Sequence, residues 1–380
     1  MIWRKCRLGE FCTIKHGYAF KSEHFGDAGH FIVLTPGNFY EEGGFKSRGD
    51  NEKFYTVDPP EDYILQKDDL IVAMTEQGEG LLGSSALVPE DNRYLHNQRL
   101  GLIVNLNEQR LNKRYLYYLL NTYEVRGQIR ASATGTKVKH TAPARILKVE
   151  ISLPDIISQQ KIANILSVYD DLIANNNRRM TLLEESIHLL YREWFVRLRF
   201  PGYEQVKVVD GVPEGWEKKP LEEVGFLNYG KSLTADLRIP GDIPVYGSSG
   251  IVGSHNEALV QGPTIIVGRK GNIGSVFWSY KDCYPIDTVF YINSEQSSLF
   301  LYHNLTFQTF ISSDAAVPGL NRNYAHKLPL LIPPHLILNQ FEAVAQPIHK
   351  QIATLQQYNE QLATARDLLL PRLMSGNITI

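Results

Sequence analysis

KIANILSVYDDLIANNNRRMTLLEESIHLLYREW, residues 161–194, decides how this chain is built. Ile162, Leu166, Tyr169, Ile173, Asn176, Met180, Leu183, Ile187, Leu190 and Trp194 follow one another at alternating spacings of four and three. That alternation keeps one face of a helix turned toward a partner, so the stretch predicts a long helix with a coiled-coil seam. The chain contains a second such seam. At an offset of 179 residues, Phe341, Ala345, Ile348, Ile352, Leu355, Asn359, Leu362, Arg366, Leu369 and Leu373 keep the same alternation. Each seam carries an asparagine, Asn176 and Asn359, a residue type that fixes register and orientation at some cost in stability. Two matched seams predict an antiparallel pair within the chain, with a kink or the helix start at Pro347.

What lies between the seams is also written twice, and repeats set architecture before any single motif does. LGEFCTIKHGYAF (8–20) matches LEEVGFLNYGKSL (221–233), which sets Gly17 opposite Gly230 at a turn expected to need positive φ. DDLIVAMTEQGEGLLGSSALV (68–88) matches GPTIIVGRKGNIGSVFW (262–278); each reads as a strand, a polar Gly-rich turn and a second strand. ISLP (151–154) and LLIPP (330–334) each lead into a seam helix. The openings are 213 residues apart and the helices 179, so the first globular unit is about 34 residues longer. The expected fold class is α+β, with globular domains at 1–152 and 201–332, helical spacers at 153–200 and 333–380, and a pseudo-two-fold internal repeat.

Composition bounds what such a chain does. With 380 residues, 43% hydrophobic and 21% charged, it has the make-up of a globular protein of two or more domains. Cys6, Cys12 and Cys283 form no CxxC pair, which argues against a disulfide framework or zinc site and fits a reducing, cytoplasmic setting. No N-terminal apolar segment or long apolar run suggests export or membrane insertion. The net charge of −2 hides a local excess: residues 110–148 hold nine Lys or Arg against one acid, Glu124.

Enzyme motifs fail on context. GFLNYGKS (225–232) fits the P-loop pattern, but charged GWEKKPLEEV precedes it, and Pro240 and Pro244 follow where a phosphate-cradling helix is required. DPPE (58–61) has glutamate where a methyltransferase loop stacks an aromatic ring on the target base. Glu217-x-Lys219 lacks a well-spaced upstream acid for a nuclease metal site, and the eleven histidines make no metal-binding spacing. No catalytic or metal residue is assigned.

Taken together, the order of globular unit, ISLP-x4-QQKIANILS helix, globular unit and IPP-x4-NQFEAVAQPI helix resembles the specificity (S) subunits of type I restriction-modification systems. The ending LLLPRLMSG (368–376), the segment LLEESIHLLYREWFVRLRFPGYE (182–204) and the turn IIVGRKGNIG (265–274) belong to the same resemblance, which spans essentially the whole chain. Asp155, where a second proline would continue the first helix entry, and the extra residues of PPHLILNQ before Gln340 depart from the family pattern. The resemblance implies two target-recognition domains reading the halves of a split double-stranded DNA sequence. It also implies helices that set the spacer and bind two modification subunits, and restriction subunits that join them. The chain itself would need no cofactor; S-adenosylmethionine, ATP and Mg would belong to the partners.

Binding chemistry then falls on the turns. Arg269 and Lys270 are expected at the tip of a Gly-bounded turn, where a guanidinium reaches guanine O6 and N7 and an ammonium reaches phosphate; Asn272 is placed to pair with adenine. The aligned turn of the first unit offers Thr75, Glu76 and Gln77. TGTKVKH (134–140), with Lys137, Lys139 and His140, and LNRNYAH (320–326), with Asn321, Arg322 and Asn323, precede the helix entries at similar distances. Two other classes stay open at this point: a coiled-coil scaffold that organises enzymes without reading DNA, and a nucleotide-using enzyme acting through residues 225–232.

Overall fold

The computed structural model describes residues 3–76, 80–311 and 319–378. The chain divides into two compact units, Met1–Ala174 with Glu360–Ile380, and Asn175–Asn359. This division cuts each long helix in two, so it crosses the boundaries drawn from sequence, which ended each globule at a helix entry.

In the first unit, β1 (Thr13–His16), β2 (Leu70–Ala73), β3 (Ser85–Leu87) and β4 (Leu100–Val104) form an antiparallel sheet in the order β1-β4-β2-β3. The short apolar run LIVA makes β2 buried on both faces. Leu70 and Val72 enter one core with Tyr115, Leu116 and Leu119 of the helix Lys113–Leu120, which Asn112 caps through Tyr115 N–H. Ile71 and Ala73, one residue out of phase, enter a second core with Ile32, Leu34 and Leu65. An outer strand, Glu150–Leu153, pairs with Arg4–Arg7 and delivers the chain to α1 (Ile156–Tyr191), 36 residues long.

The second unit repeats the plan. β5 (Asn228–Tyr229), β6 (Thr264–Gly268), β7 (Val276–Ser279) and β8 (Val289–Ile292) are ordered β5-β8-β6-β7, again antiparallel. Ile265 and Val267 face a core with Leu301 and Leu305 of the helix Leu299–Thr306, while Ile266 faces Tyr246 and Cys283. Pro329–Ile332, paired with Glu217–Pro220, leads to α2 (His335–Met374), 40 residues long. Both strand–turn–strand readings are therefore hairpins, β2–β3 and β6–β7. The helix Tyr123–Ala131 has no counterpart among the described residues of the second unit.

The long helices bury the residues that the periodicity singled out. Every seam position of α1 is buried or half-buried, whereas between residues 171 and 190 the intervening positions are exposed. In the second unit Ile187 packs in one core with Phe341 and Ala345. There Asn176 Nδ2 donates to Asn359 Oδ1 at 2.9 Å, and Asn359 Nδ2 donates to Asn177 Oδ1 at 2.8 Å. In the first unit Ile162 and Leu166 share a core with Leu373, and Arg366 Nη1 donates to Asp170 at 2.6 Å. Asp155, the departure from the family pattern, is the N-cap of α1: its carboxylate accepts from Ser158 N–H at 3.0 Å and from the Ser158 hydroxyl at 2.7 Å. These bonds hold its carboxyl below the usual range.

Two local expectations are corrected. α2 starts at His335 and continues through exposed Pro347, so of the kink or helix start expected there, the helix start is overturned. Gly17 and Gly230 are equivalent, but neither has positive φ. A Cβ at Gly17 would lie 2.1 Å from the Asn97 carbonyl oxygen, and one at Gly230 would lie 2.1 Å from that of Ile286. Close backbone approach beside the first strand of each sheet, not handedness, requires glycine there.

Candidate nucleic-acid interface

In the second unit the turn leaving β6 meets the segment that precedes α2. Arg269 and Lys270 N–H both donate to the Thr288 carbonyl, at 2.9 and 3.1 Å, and the Arg269 carbonyl accepts from Leu320 N–H at 2.8 Å. The structure thus brings Arg269 and Lys270 together with Asn321 and Arg322, which lie some fifty residues further along the chain. The Arg269 guanidinium carbon lies 4.8 Å from the centroid of the Tyr229 ring, and that of Arg322 lies 4.6 Å from the same ring. Phe290 flanks Arg269 at 5.8 Å and Phe226 flanks Arg322 at 5.6 Å. Tyr229 is 47% and Phe226 40% exposed, so solvent reaches this cluster of two cations and aromatic faces.

The placement of Arg269 and Lys270 at the tip is corrected by these contacts. Arg269 is half-buried and donates from Nη1 to the Asp287 carbonyl at 3.2 Å, while Lys270 Nζ is 3.9 Å from the Asp287 carboxylate. Exposed Gly271, at φ +76°, and exposed Asn272 occupy the tip. Asn321 caps the helix Arg322–His326 by accepting from Tyr324 N–H at 3.2 Å, which leaves its amide N–H₂ for other partners; Asn323 is exposed. His326 is buried, accepts from Leu227 N–H at 3.0 Å and has its pKa lowered by burial, so it ties the helix to the β5 segment instead of facing a ligand.

The equivalent place in the first unit is built from different chemistry. Thr141 N–H donates to the Met74 carbonyl at 2.9 Å, as Leu320 does to Arg269. Strand pairing therefore sets Met74 opposite Arg269 and Thr75 opposite Lys270, one residue away from the alignment read by eye. Met74 is buried, with Gly101 and His16 standing where the second unit has Phe290 and Tyr229. Thr75 Oγ1 lies 3.3 Å from His140 Nδ1, where Thr75–Glu76 pairs with Lys139–His140. Glu76 is not offered to a ligand: only 2% exposed, it accepts from Leu82 N–H at 2.7 Å. Gln77 lies outside the described residues. Lys137 is exposed and Lys139 half-buried on a hairpin closed by two Thr134–His140 backbone bonds and framed by Arg145 Nη1, which donates to the Ser132 carbonyl and Thr134 Oγ1.

The basic run 110–148 is not one patch. Arg110 lies over Phe11 at 4.7 Å, Arg114 faces Asp171 at 3.9 Å, and buried Arg126 donates to the carbonyls of Glu41 and Gly80. On the Thr134–His140 hairpin, Lys137 and His140 are exposed and Lys139 is half-buried. Sequence reasoning missed Tyr229, Phe226 and the loop-holding role of Arg126. The aromatic residues of the false P-loop stretch were its only trace. Among the described residues there is no group of three metal-ligating side chains, and no helix is long and apolar enough to cross a membrane.

Two similar α+β globules, each followed by a long helix and presenting a different polar turn, define a paired recognition module. The family described as type I restriction modification DNA specificity domain matches residues 2–185 and 213–357, and the chain belongs to it. The specificity subunit of the type I restriction enzyme MjaIX from Methanocaldococcus jannaschii is 24% identical over 298 residues, spanning 70% of this chain and 69% of that one. That of HindI from Haemophilus influenzae is 24% identical over 370 residues, spanning 73% and 80%. The crystal structure of a type I restriction-modification S subunit from M. genitalium covers 98% of this chain and 96% of its own, with a TM-score of 0.58 at 17% identity, a likeness of fold.

Proposed function

We propose that the chain is the DNA-recognition subunit of a type I restriction-modification enzyme, with residues 1–152 and 201–332 each reading one half of a split duplex target. The observation that carries this reading is the duplicated sheet with unlike side chains at equivalent places: Arg269 against Met74, Lys270 against Thr75, Tyr229 against His16. One scaffold built twice with different contact groups is suited to two different half-sequences. In the second half, Arg269 and Arg322 contact bases or phosphates, with Asn272 and Asn321 supplying amides; in the first half, Thr75, Lys137, Lys139 and His140 do so. The chain is non-catalytic. Two modification subunits dock on α1 and α2, restriction subunits join them, and those partners use S-adenosylmethionine, ATP and Mg.

In this reading the helices set the distance between half-sites. Inserting one heptad after Leu183 and one after Leu362 keeps the seam in register and lengthens each helix by roughly 10 Å, about three base pairs of duplex rise. Three base pairs also turn the duplex by about 100°, so binding weakens on every target. The preferred target keeps both half-sequences and gains a few unspecified base pairs between them. A variant that folds and assembles yet prefers the original spacing shows that the distance is set by the partners.

A further inference from the structure

The second unit holds a cavity of about 700 Å³ lined by Glu184 and Glu185 on α1 and by Trp278, Tyr280 and Tyr302. No lysine or arginine is among the described residues that line it. The buried imidazoles of His303 and His349 meet there, Nε2 to Nε2 at 3.0 Å, and Tyr280 Oη lies 3.0 Å from His349 Nδ1. Burial lowers the pKa of both histidines, to about 3 and about 4, so neither supplies positive charge near neutrality. Desolvation raises the Glu184 carboxyl, the mark of an anion short of partners.

The internal repeat supplies a comparison. At the 179-residue offset between the helices, His349 corresponds to Asp170 and Ile187 to Arg366. The helices Lys113–Leu120 and Leu299–Thr306, aligned on their caps Asn112 and Ser298, set Tyr117 opposite His303. In the first unit the crevice at this helix is filled from within: Asp170 accepts from Tyr118 Oη at 2.5 Å and from Arg366 Nη1 at 2.6 Å. The second unit has acids and aromatic faces around the corresponding space, but the position of the guanidinium is taken by Ile187, which is turned into the core. A cation beside aromatic faces and carboxylates, with water partly excluded, is held more strongly than in bulk solvent.

We propose that this cavity receives a guanidinium or ammonium side chain from a partner protein seated on α1 and α2, doing from outside what Arg366 does within the first unit. The assignment to a partner's side chain rests on the reading that modification subunits dock on these helices. The cavity borders the surface such a subunit would cover, being lined also by Thr181 of α1 and Gln356 of α2.

The full chain, labelled with ¹⁵N-tryptophan and with the Trp278 indole signal assigned through Trp278→Phe, is titrated with N-acetylarginine amide and, separately, with its neutral isostere N-acetylcitrulline amide. Arginine shifts the Trp278 signal saturably, the citrulline compound leaves it in place, and Glu184→Gln/Glu185→Gln weakens the arginine response about tenfold. An equal response to citrulline, or one indifferent to the two carboxylates, overturns the site. In a second arm the same double variant raises the modification-subunit concentration needed for half-assembly about tenfold, while the assembled complex keeps its DNA target preference. Unchanged assembly of the variant although its arginine response is weakened overturns the partner assignment and leaves a site for free cations. Failure of DNA reading itself would appear separately, as a lack of target preference in the complex of the unaltered chain, the reference for the second arm.

Discussion

Tyr229 is the residue through which the second recognition domain is most directly tested. Its ring lies under two guanidiniums, at 4.8 and 4.6 Å, and its exposure of 47% means that replacing it disturbs little of the core. Each such contact at an exposed site is worth about 0.5–1 kcal/mol, so Tyr229→Ala removes about 1–2 kcal/mol of positioning from Arg269 and Arg322 together. A bidentate arginine–guanine pair supplies about 1–3 kcal/mol of discrimination, so the loss is a large part of what the two side chains give. Competition binding of the assembled complex, at one fixed salt concentration, against targets changed in one half-site at a time should show discrimination reduced roughly five- to thirtyfold in one half only. Tyr229→Phe keeps the ring and should behave nearly as the parent. A uniform loss on all sequences, or a Phe variant as poor as the Ala variant, would refute the positioning role.

Other expectations follow from single contacts. Lys137→Ala should weaken binding to all sequences alike and lower the salt slope by about one unit, read by titration at several salt concentrations. Gly230→Ala should severely destabilise the second unit, because its Cβ would fall 2.1 Å from the Ile286 carbonyl oxygen, whereas Gly127→Ala, with open space around its Cβ in the helix Tyr123–Ala131, should stabilise by up to about 1 kcal/mol; thermal unfolding compares them. Asp170→Asn weakens both the Arg366 ion pair and the Tyr118 bond in a partly buried setting and should cost about 1–3 kcal/mol, measured by urea unfolding. His303 and His349 titrate in the folded state well below the ordinary 6.5, chiefly because they are buried, so the unfolded chain takes up protons first. Their contribution is fully present above about pH 6.5 and is lost as the pH falls toward 4, about 2 kcal/mol per histidine by pH 5, a dependence that unfolding midpoints across this range should show and His349→Gln should reduce.

The parts of the fold that were legible in the sequence are those with a period. The α1 seam from Ile162 to Trp194 announces itself because one spacing rule holds over many turns, and burial follows the same positions. The hairpins at 68–88 and 262–278 are legible because each is a short apolar run broken by glycines. The site was less so. Arg269 looks like a turn tip in sequence, but its position is set by Tyr229, forty residues earlier, and by Leu320, fifty later, and no local pattern encodes such packing. Strand register, which makes Met74 the equivalent of Arg269, is likewise fixed by cross-strand partners, so an alignment of the loops alone slips by one residue. Arg126 and Glu76 read as surface charges, but Arg126 is buried against two loop carbonyls and Glu76 accepts from a buried amide.

In the proposed function this one chain, reading with two unlike domains, chooses a two-part DNA target. This is tested most directly by sequencing the methylated bases of otherwise identical cells that carry the modification subunit with and without this chain. The expected result is a methylated motif of two different half-sequences separated by unspecified bases, present with the chain and absent without it, and altered in one half only by Arg269→Ala. An undivided motif, or methylation that does not change when the chain is removed, would contradict it.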